Sequence, residues 1–252
     1  MSLLVADRVV KRFSGITALH DVSLTVEPGE AVGLIGPNGA GKTTFFNCIL
    51  GVLRLDGGHV TFADRHVDGL PVYQRARLGL GRTFQRIELF GGMTVREHLL
   101  VAERARNRTG HLWKDLIGLG RPTRDEQAKT DGVLELLGLG ADADRPIEAL
   151  SLGRGRLVEV GRALMTDPSL LLLDEPSSGL DRAETNELVS VLRDVQREHN
   201  TAVLLVEHDV EMVQRFVRRL YVLDFGTLLA SGPTDVVLAD AAVRRAYLGS
   251  VK

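Results

Sequence analysis

The sequence predicts an α/β fold organised on a mostly parallel sheet, and three observations carry that prediction. Ala31-Val32-Gly33-Leu34-Ile35 is a short apolar run with the pattern of a buried strand, and a glycine-rich loop joins it to the apolar stretch Phe45 to Leu50. Leu170-Leu171-Leu172-Leu173 is a second run of the same kind, ending in the carboxylates Asp174 and Glu175. From residue 151 onward, strand-like and helix-like stretches alternate, as they do where helices cover both faces of a parallel sheet. A chain of 252 residues is ample for such a core.

Taken in order, residues 1–30 form an expected antiparallel β region. Leu4 to Val10 and Val22 to Val26 carry period-2 apolar patterns, and Pro28-Gly29 turns into the next strand. Phe13 falls just past the first strand, where it suits the core and a platform for a stacked ring equally well. Gly51, Gly57 and Gly58 break the chain before His59-Val60-Thr61-Phe62, a further strand of the same β region. Val72 to Leu78 predicts a short helix, and Gly81-Arg82-Thr83-Phe84-Gln85 a strand running into a loop.

The character changes between about 86 and 150. Thr94-Val95-Arg96-Glu97 and Thr123-Arg124-Asp125-Glu126 are both capping-box signatures. Val95, Leu99 and Ala102 follow the first on one helical face, and Val133, Leu134, Leu136 and Leu137 follow the second, with Gly138 as a stop. Gly110 to Gly120, with Trp113 and Leu116, lies between them as an extra segment of this mostly helical insertion. A helix to Met165, a strand from Leu170 to Asp174, a helix from about Arg182 to Glu198 and a strand from Thr201 to Glu207 come next. Leu188, Leu192 and Val195 mark the buried face of the longer helix. Leu220 to Asp224 and Leu228 to Ser231 predict a hairpin around Phe225-Gly226, and two short helices end the chain.

Composition excludes several classes. With 31 basic and 33 acidic residues the net charge is −2, which gives no pull towards nucleic acid. No apolar run is long enough to span a bilayer, and no basic region followed by an apolar stretch opens the chain as a signal peptide would, so a soluble protein is expected. Cys48, the single cysteine, is expected as a small core residue in a reducing compartment.

Three constellations carry chemistry. Gly36-Pro37-Asn38-Gly39-Ala40-Gly41-Lys42-Thr43 matches G-x-x-x-x-G-K-[ST] between a strand and a helix, the setting of a phosphate-binding P-loop. Its glycines let backbone N–H groups turn inward around a phosphate, and the helix that follows, from Lys42, Thr43 and Thr44, adds its positive end. Lys42 would set a charge on the β- and γ-phosphates, and the Thr43 hydroxyl would hold Mg²⁺. The second constellation is Asp174-Glu175, where the aspartate suits Mg²⁺ and Glu175 suits a base for a water attacking the γ-phosphate. The third is Leu150-Ser151-Leu152-Gly153-Arg154 at a helix start. Ser151 and Gly153 there make a second anion cradle, although Ser before Gly is also ordinary capping. One nucleotide needs one P-loop, so a second cradle suggests a nucleotide held between two subunits. Only His208, of the seven histidines, ends a predicted core strand; the others lack metal-ligand spacing and are expected on the surface.

In this order the motifs resemble the ATP-binding cassette (ABC) ATPases over essentially the whole chain. The resemblance implies one P-loop NTPase domain spanning 1–252. Residues of about 1–85 and 151–252 would form the catalytic core with its β subdomain, and about 86–150 a helical subdomain. It implies Phe13 as the adenine-stacking aromatic, Gly36 to Thr43 as Walker A, and Gln85 as the Q-loop glutamine that senses Mg²⁺ and the attacking water. Ser151 to Arg154 would be the signature loop, Asp174-Glu175 the Walker B pair, Ser178-Gly179-Leu180-Asp181 the D-loop, and His208 the γ-phosphate-contacting switch histidine. Leu152 and Arg154 depart from the family's Leu-Ser-Gly-Gly-Gln. Gly81 to Gln85, Leu89-Phe90, Met93-Thr94-Val95, the insertion of 103–125 and Tyr247-Leu248-Gly249 are similar to the ATPases of branched-chain amino-acid-type importers. That similarity implies ATP and Mg²⁺ as ligands, a homodimer or a heterodimer with a paralogous ATPase, permease subunits in a membrane, and indirectly a solute-binding protein. The place implied is the cytoplasmic face of the plasma membrane. An exporter ATPase and a soluble ABC ATPase outside transport are the alternatives.

Overall fold

The computed structural model describes residues 1–83, 90–107 and 122–248. Two sheets enclose the helix that follows the glycine-rich loop. The antiparallel sheet has the order β2-β1-β4-β5, with β1 Leu4–Phe13, β2 Ile16–Val26, β4 Gly57–Phe62 and β5 Arg65–His66. The larger sheet has the order β10-β9-β3-β8-β7-β6. Its members are β3 Ala31–Ile35, β6 Leu80–Arg82, β7 Leu170–Asp174, β8 Ala202–Val206, β9 Arg219–Asp224 and β10 Thr227–Pro233. All of its neighbours pair in parallel except β10, which forms the expected hairpin with β9.

The apolar runs are continuous because both faces of the parallel strands are covered. Val32, Leu34, Leu170, Leu172, Leu204 and Val206 face one core, together with the antiparallel sheet and α1 Lys42–Leu50. Phe45, Phe46, Cys48, Ile49 and Leu50 of α1 are all at most 2% exposed, so this short helix is apolar on nearly every side. Truncating Phe45 to alanine would cost about 3–5 kcal/mol. Ile35, Leu171, Leu173, Val203 and Leu205 face the opposite core, which the other helices close. Burial pushes the Cys48 thiol up to about 11.

That second core holds α3 Val95–Asn107, α4 Arg124–Leu136, α5 Leu152–Leu164, α6 Arg182–His199 and α7 Val210–Phe216. Both expected capping boxes are present. Thr94 N donates to Glu97 at 2.8 Å while Glu97 N donates to Thr94 Oγ1, and Thr123 and Glu126 repeat the exchange. Gly161 lets α5 approach its neighbours closely, since a Cβ there would lie 2.7 Å from Leu137 Cδ1 and 2.9 Å from Leu99 Cδ2. A short helix α2 Val72–Arg77 precedes β6, and α8 Thr234–Ala239 and α9 Ala241–Leu248 end the chain.

Two features differ from expectation, and one expected segment is not described. β1 and β2 run on into one long hairpin, so Phe13 is the last residue of β1 and pairs with Ile16 instead of lying beyond the strand. Register shifts along β1 let its polar end, Lys11 and Arg12, stay paired. The helix α7 has no counterpart in the sequence pattern; Asp209 starts it by accepting from Glu211 N and Met212 N. The segment Gly110 to Gly120, with Trp113 and Leu116, lies outside the described residues.

Candidate active site

Strand order brings the distant motifs together. β3 and β7 both flank β8, with Leu34 level with Val206 on one side and Asp174 level with Val206 on the other. The loops leaving these three strands therefore emerge side by side at the carboxyl edge, the usual ligand edge of a doubly wound sheet. The glycine-rich loop follows β3, Glu175 follows β7 and His208 follows β8. On the other flank of β7, β6 directs the chain towards Gln85, which lies outside the described residues.

The loop after β3 is shaped by close packing and by helix polarity. A Cβ on Gly36 would sit 2.2 Å from the Leu223 carbonyl oxygen, so no larger residue fits there. Gly41 takes a left-handed φ of 102° and starts α1 with no side-chain cap, which leaves the first N–H groups of the helix to a ligand. Ala40 is buried, Pro37 and Thr44 are half-buried, and Asn38, Gly39 and Thr43 are exposed. Lys42 Nζ donates to the carbonyl oxygens of Gly36 at 2.6 Å and Pro37 at 3.0 Å, across the mouth of the loop. Burial lowers the Lys42 pKa, and the neighbouring Glu175 and Asp174 oppose that shift.

Asp174 is half-buried, and its carboxyl is pushed up, first by burial and then by Glu175, with Arg82 and Lys42 acting the other way. Two carboxylates so placed beside a phosphate loop suit a divalent cation, whose charge would reverse that shift. The loop's uncapped N–H groups and Lys42 fit a nucleotide phosphate chain, and Thr43 and Asp174 fit its metal. Glu175 has φ 48°, a left-handed conformation uncommon for a glutamate, and its N–H donates to Val206 O at 2.8 Å. His208 Nδ1 stands 3.8 Å from Glu175 Oε1.

Glu207 is the residue whose structural part the sequence did not disclose. It is fully buried, and Oε1 accepts from Ser177 N at 2.8 Å while Oε2 accepts from His208 N at 3.0 Å and Asp209 N at 3.4 Å. One carboxylate thus ties the loop after β7 to the loop after β8 and sets Glu175 beside His208. Only its place at the end of a buried strand hinted at this.

Ser151 is the N-cap of α5, accepting from Arg154 N at 3.3 Å, and Gly153 is buried behind it. The hydrogen bonds of this loop run to α6: Glu184 Oε1 accepts from Ser151 Oγ at 3.1 Å and from Gly153 N at 3.2 Å. Asp181 caps α6, its carboxylate accepting from Ala183 N and Glu184 N. Arg154 turns into its own chain, donating to Gly138 O at 2.7 Å and pairing with Asp142 and Glu187, both at 3.6 Å.

Phe13 is 42% exposed, with Lys11 Nζ 5.3 Å from its ring centroid. Among the described histidines one surface expectation needs correction; His111 lies outside the described residues. His98 is 1% exposed, not a surface residue; its Nδ1 donates to Thr94 O at 2.9 Å and its Nε2 accepts from Phe90 N at 2.9 Å. Spacing also hid a cluster: hairpin pairing brings ligand atoms of His59, His66 and Asp68 within 4.8 Å of one another. Asp68 is already engaged there, accepting from Val60 N at 2.6 Å and meeting His59 Nδ1 at 2.9 Å.

The ABC transporter family profile matches residues 19–178. The high-affinity branched-chain amino acid transport ATP-binding protein LivG of Salmonella typhimurium is 42% identical over 250 residues, 98% of each chain. The corresponding BraF of Pseudomonas aeruginosa is 36% identical over 98% of each. Among solved structures, the ADP conformation of MJ1267, an ATP-binding cassette of an ABC transporter, superposes with a TM-score of 0.88 at 30% identity, covering 99% of this chain and 100% of that one.

Proposed function

Since the chain belongs to the ABC transporter family, we propose that it is the ATP-hydrolysing subunit of an importer for branched-chain amino acids or related small solutes. The observation that carries this reading is the placing of Lys42, Asp174, Glu175 and His208 at the ends of adjacent parallel strands. The solute class follows from the likeness to LivG and BraF, whose names state that transport.

Residues 1–252 act as one ABC ATPase domain, with the helical stretch of about 86–150 as its subdomain. Phe13 stacks on the adenine. The loop from Gly36 to Thr44 wraps the phosphates, and Lys42 leaves its two carbonyl partners to meet the β- and γ-oxygens. Thr43 and Asp174 would hold Mg²⁺, with Gln85 as its sensor, and the ion would supply charge neutralisation at the phosphates. Glu175 takes the proton from a water whose oxygen bonds to the γ-phosphorus while the bond to the β-phosphate oxygen opens. His208, held against Glu175 by the Glu207 carboxylate, contacts the γ-phosphate. The Ser151 loop of one subunit, with Gly153, closes over the nucleotide held by another, and Asp181 lines that joint. The partner is a second copy or a paralogous ATPase.

No helix among the described residues is long and apolar enough to cross a membrane. By likeness to LivG and BraF, membrane contact goes through permease subunits. A groove between α2, α3 and α5, lined by Leu50, Tyr73, Leu80, Ala102 and Ala163, is the surface we assign to a permease helix. In this reading the subunit works on the cytoplasmic face and is served indirectly by a solute-binding protein.

The decisive experiment is Glu175→Gln. ATP binding measured by calorimetry should be retained, turnover should fall by about 10²-fold or more, in the range of a lost general base, and the variant should accumulate as an ATP-bound dimer. Hydrolysis at the unsubstituted rate would remove Glu175 as the base.

A further inference from the structure

The Ser151 loop already holds an anion, and that anion belongs to the chain itself. Glu184 Oε1 accepts from Ser151 Oγ at 3.1 Å and Gly153 N at 3.2 Å, the two donors that a γ-phosphate oxygen would use. The fit is close: a Cβ on Gly153 would lie 2.7 Å from Glu184 Oε1 and 2.8 Å from its Cδ, so any side chain at 153 would expel the carboxylate. The first turn of α5 carries no acidic residue of its own, which makes Glu184 the negative group at the positive end of that helix. Arg154, the nearest cation in sequence, is directed away to Gly138, Asp142 and Glu187.

We propose that Glu184 is a positioning residue, a resident stand-in for phosphate that keeps the Ser151 cradle closed to nucleotide until a partner subunit approaches. The inference rests on the reading above, in which the Ser151 loop covers the partner's nucleotide. A carboxylate and a phosphate oxygen cannot share the same two donors, and their like charges repel at such a distance. Closure of the pair therefore requires Glu184 to withdraw. It can do so without unravelling α6, because its other oxygen, Oε2, accepts from Asp181 N at 3.2 Å as half of a capping box. The side chain is half-buried and its cradle partly exposed, so its hold is modest and displaceable. The same carboxylate touches the D-loop end at Asp181 and the signature loop at Ser151, so release of one loop is felt at the other. Leu152 packs against this joint, where a Cβ on Gly179 would lie 2.9 Å from Leu152 Cδ2.

The test uses the full chain carrying Glu175→Gln, with ATP titrated and the dimer fraction followed by light scattering. Adding Glu184→Gln removes the charge while keeping a side chain that serves in capping boxes. Because charge-assisted hydrogen bonds are roughly twice as strong as neutral ones, the ATP concentration for half-dimerisation should fall about three- to tenfold. Glu184→Ala should shift it in the same direction, with a melting curve to verify that α6 is intact. ATP affinity of the monomer, set at Lys42, should not move in either variant, which a general change in the fold would not spare. Unchanged or higher ATP demand in the Glu184→Gln chain overturns the proposal. Ser151→Ala in the same background separates the two ideas: if it dimerises as the parent does, the composite-site reading itself fails. If it loses dimerisation while Glu184→Gln gains nothing, only the part assigned to Glu184 is wrong.

Discussion

Two helices that the proposed function turns towards a nucleotide's phosphates begin in opposite ways. α1 lies between two sheets, carries no side-chain cap and starts from a left-handed glycine, so its site is built from backbone fixed on both sides by the core. α5 starts at the surface, is capped by Ser151 and is met by the Glu184 carboxylate. On the proposed function the first site takes its ligand within one chain. The second is satisfied within one chain by Glu184, which on the proposal above must give way to a ligand. The contrast separates binding, which needs a rigid cradle, from closure, which needs an adjustable one.

Substitutions at different depths break that contrast to different degrees. Lys42→Ala acts on the rigid half and should have the largest effect. Nucleotide affinity should fall by at least about a hundredfold, equivalent to about 2.7 kcal/mol, in a calorimetric titration; an unchanged isotherm would undo the assignment of the α1 site. Glu207→Gln should leave that titration unaltered, since Glu207 does not touch the glycine-rich loop. Its amide nitrogen would face backbone N–H donors from Ser177 or from His208 and Asp209, costing about 1–3 kcal/mol of stability and lowering turnover by misplacing His208. A melting curve and a steady-state assay on one preparation check both parts, and loss of nucleotide affinity would contradict the placement.

The smallest effect belongs to His98, under the helical layer that carries α5. Burial, helped by Arg162, holds its pKa below the ordinary 6.5, while the Thr94 hydrogen bond, Glu97 and Glu148 oppose the shift. Its two hydrogen bonds, one donated and one accepted, require the neutral ring. A histidine with a lowered native pKa contributes its stability in full above its unfolded value and loses it as pH falls through the native one. The melting temperature should therefore decline on the acid side of about pH 6.5, and His98→Gln should flatten that limb, a change of about 2–4 °C for one hydrogen bond. An identical pH profile in the variant would show that other groups set the acid limb.

Much of this was legible because the chemistry is local. The glycine-rich loop, the run from Leu170 to Glu175 and the two capping boxes each lie within a few consecutive residues, where backbone geometry and side-chain reach are dictated by neighbours. Parallel strands were legible too, since burial on both faces leaves an unbroken apolar run. What stayed hidden depends on contacts between remote residues. Glu184 is 33 positions from Ser151, and Glu207 is 30 from Ser177; the capping-box spacing of Glu184 from Asp181 and the strand-end position of Glu207 do not reveal these distant partners. His98 was misplaced for the same reason, because its burial is created by Phe90 and the α5 face. The His59, His66 and Asp68 cluster arises only once β4 folds back on β5.

Cys48 supplies a means of observing the rigid half from within. It is the chain's single cysteine, fully buried on α1, with a thiol pKa of about 11. At neutral pH it is neither ionised nor reachable, so an alkylating reagent can react only during excursions in which α1 leaves one of its two sheets. The alkylation rate of the unmodified protein therefore reports how often the glycine-rich loop loses its support, without any introduced label. A ligand bound to that loop should lengthen the lifetime of the free thiol by a factor of one plus the ratio of free ligand concentration to Kd.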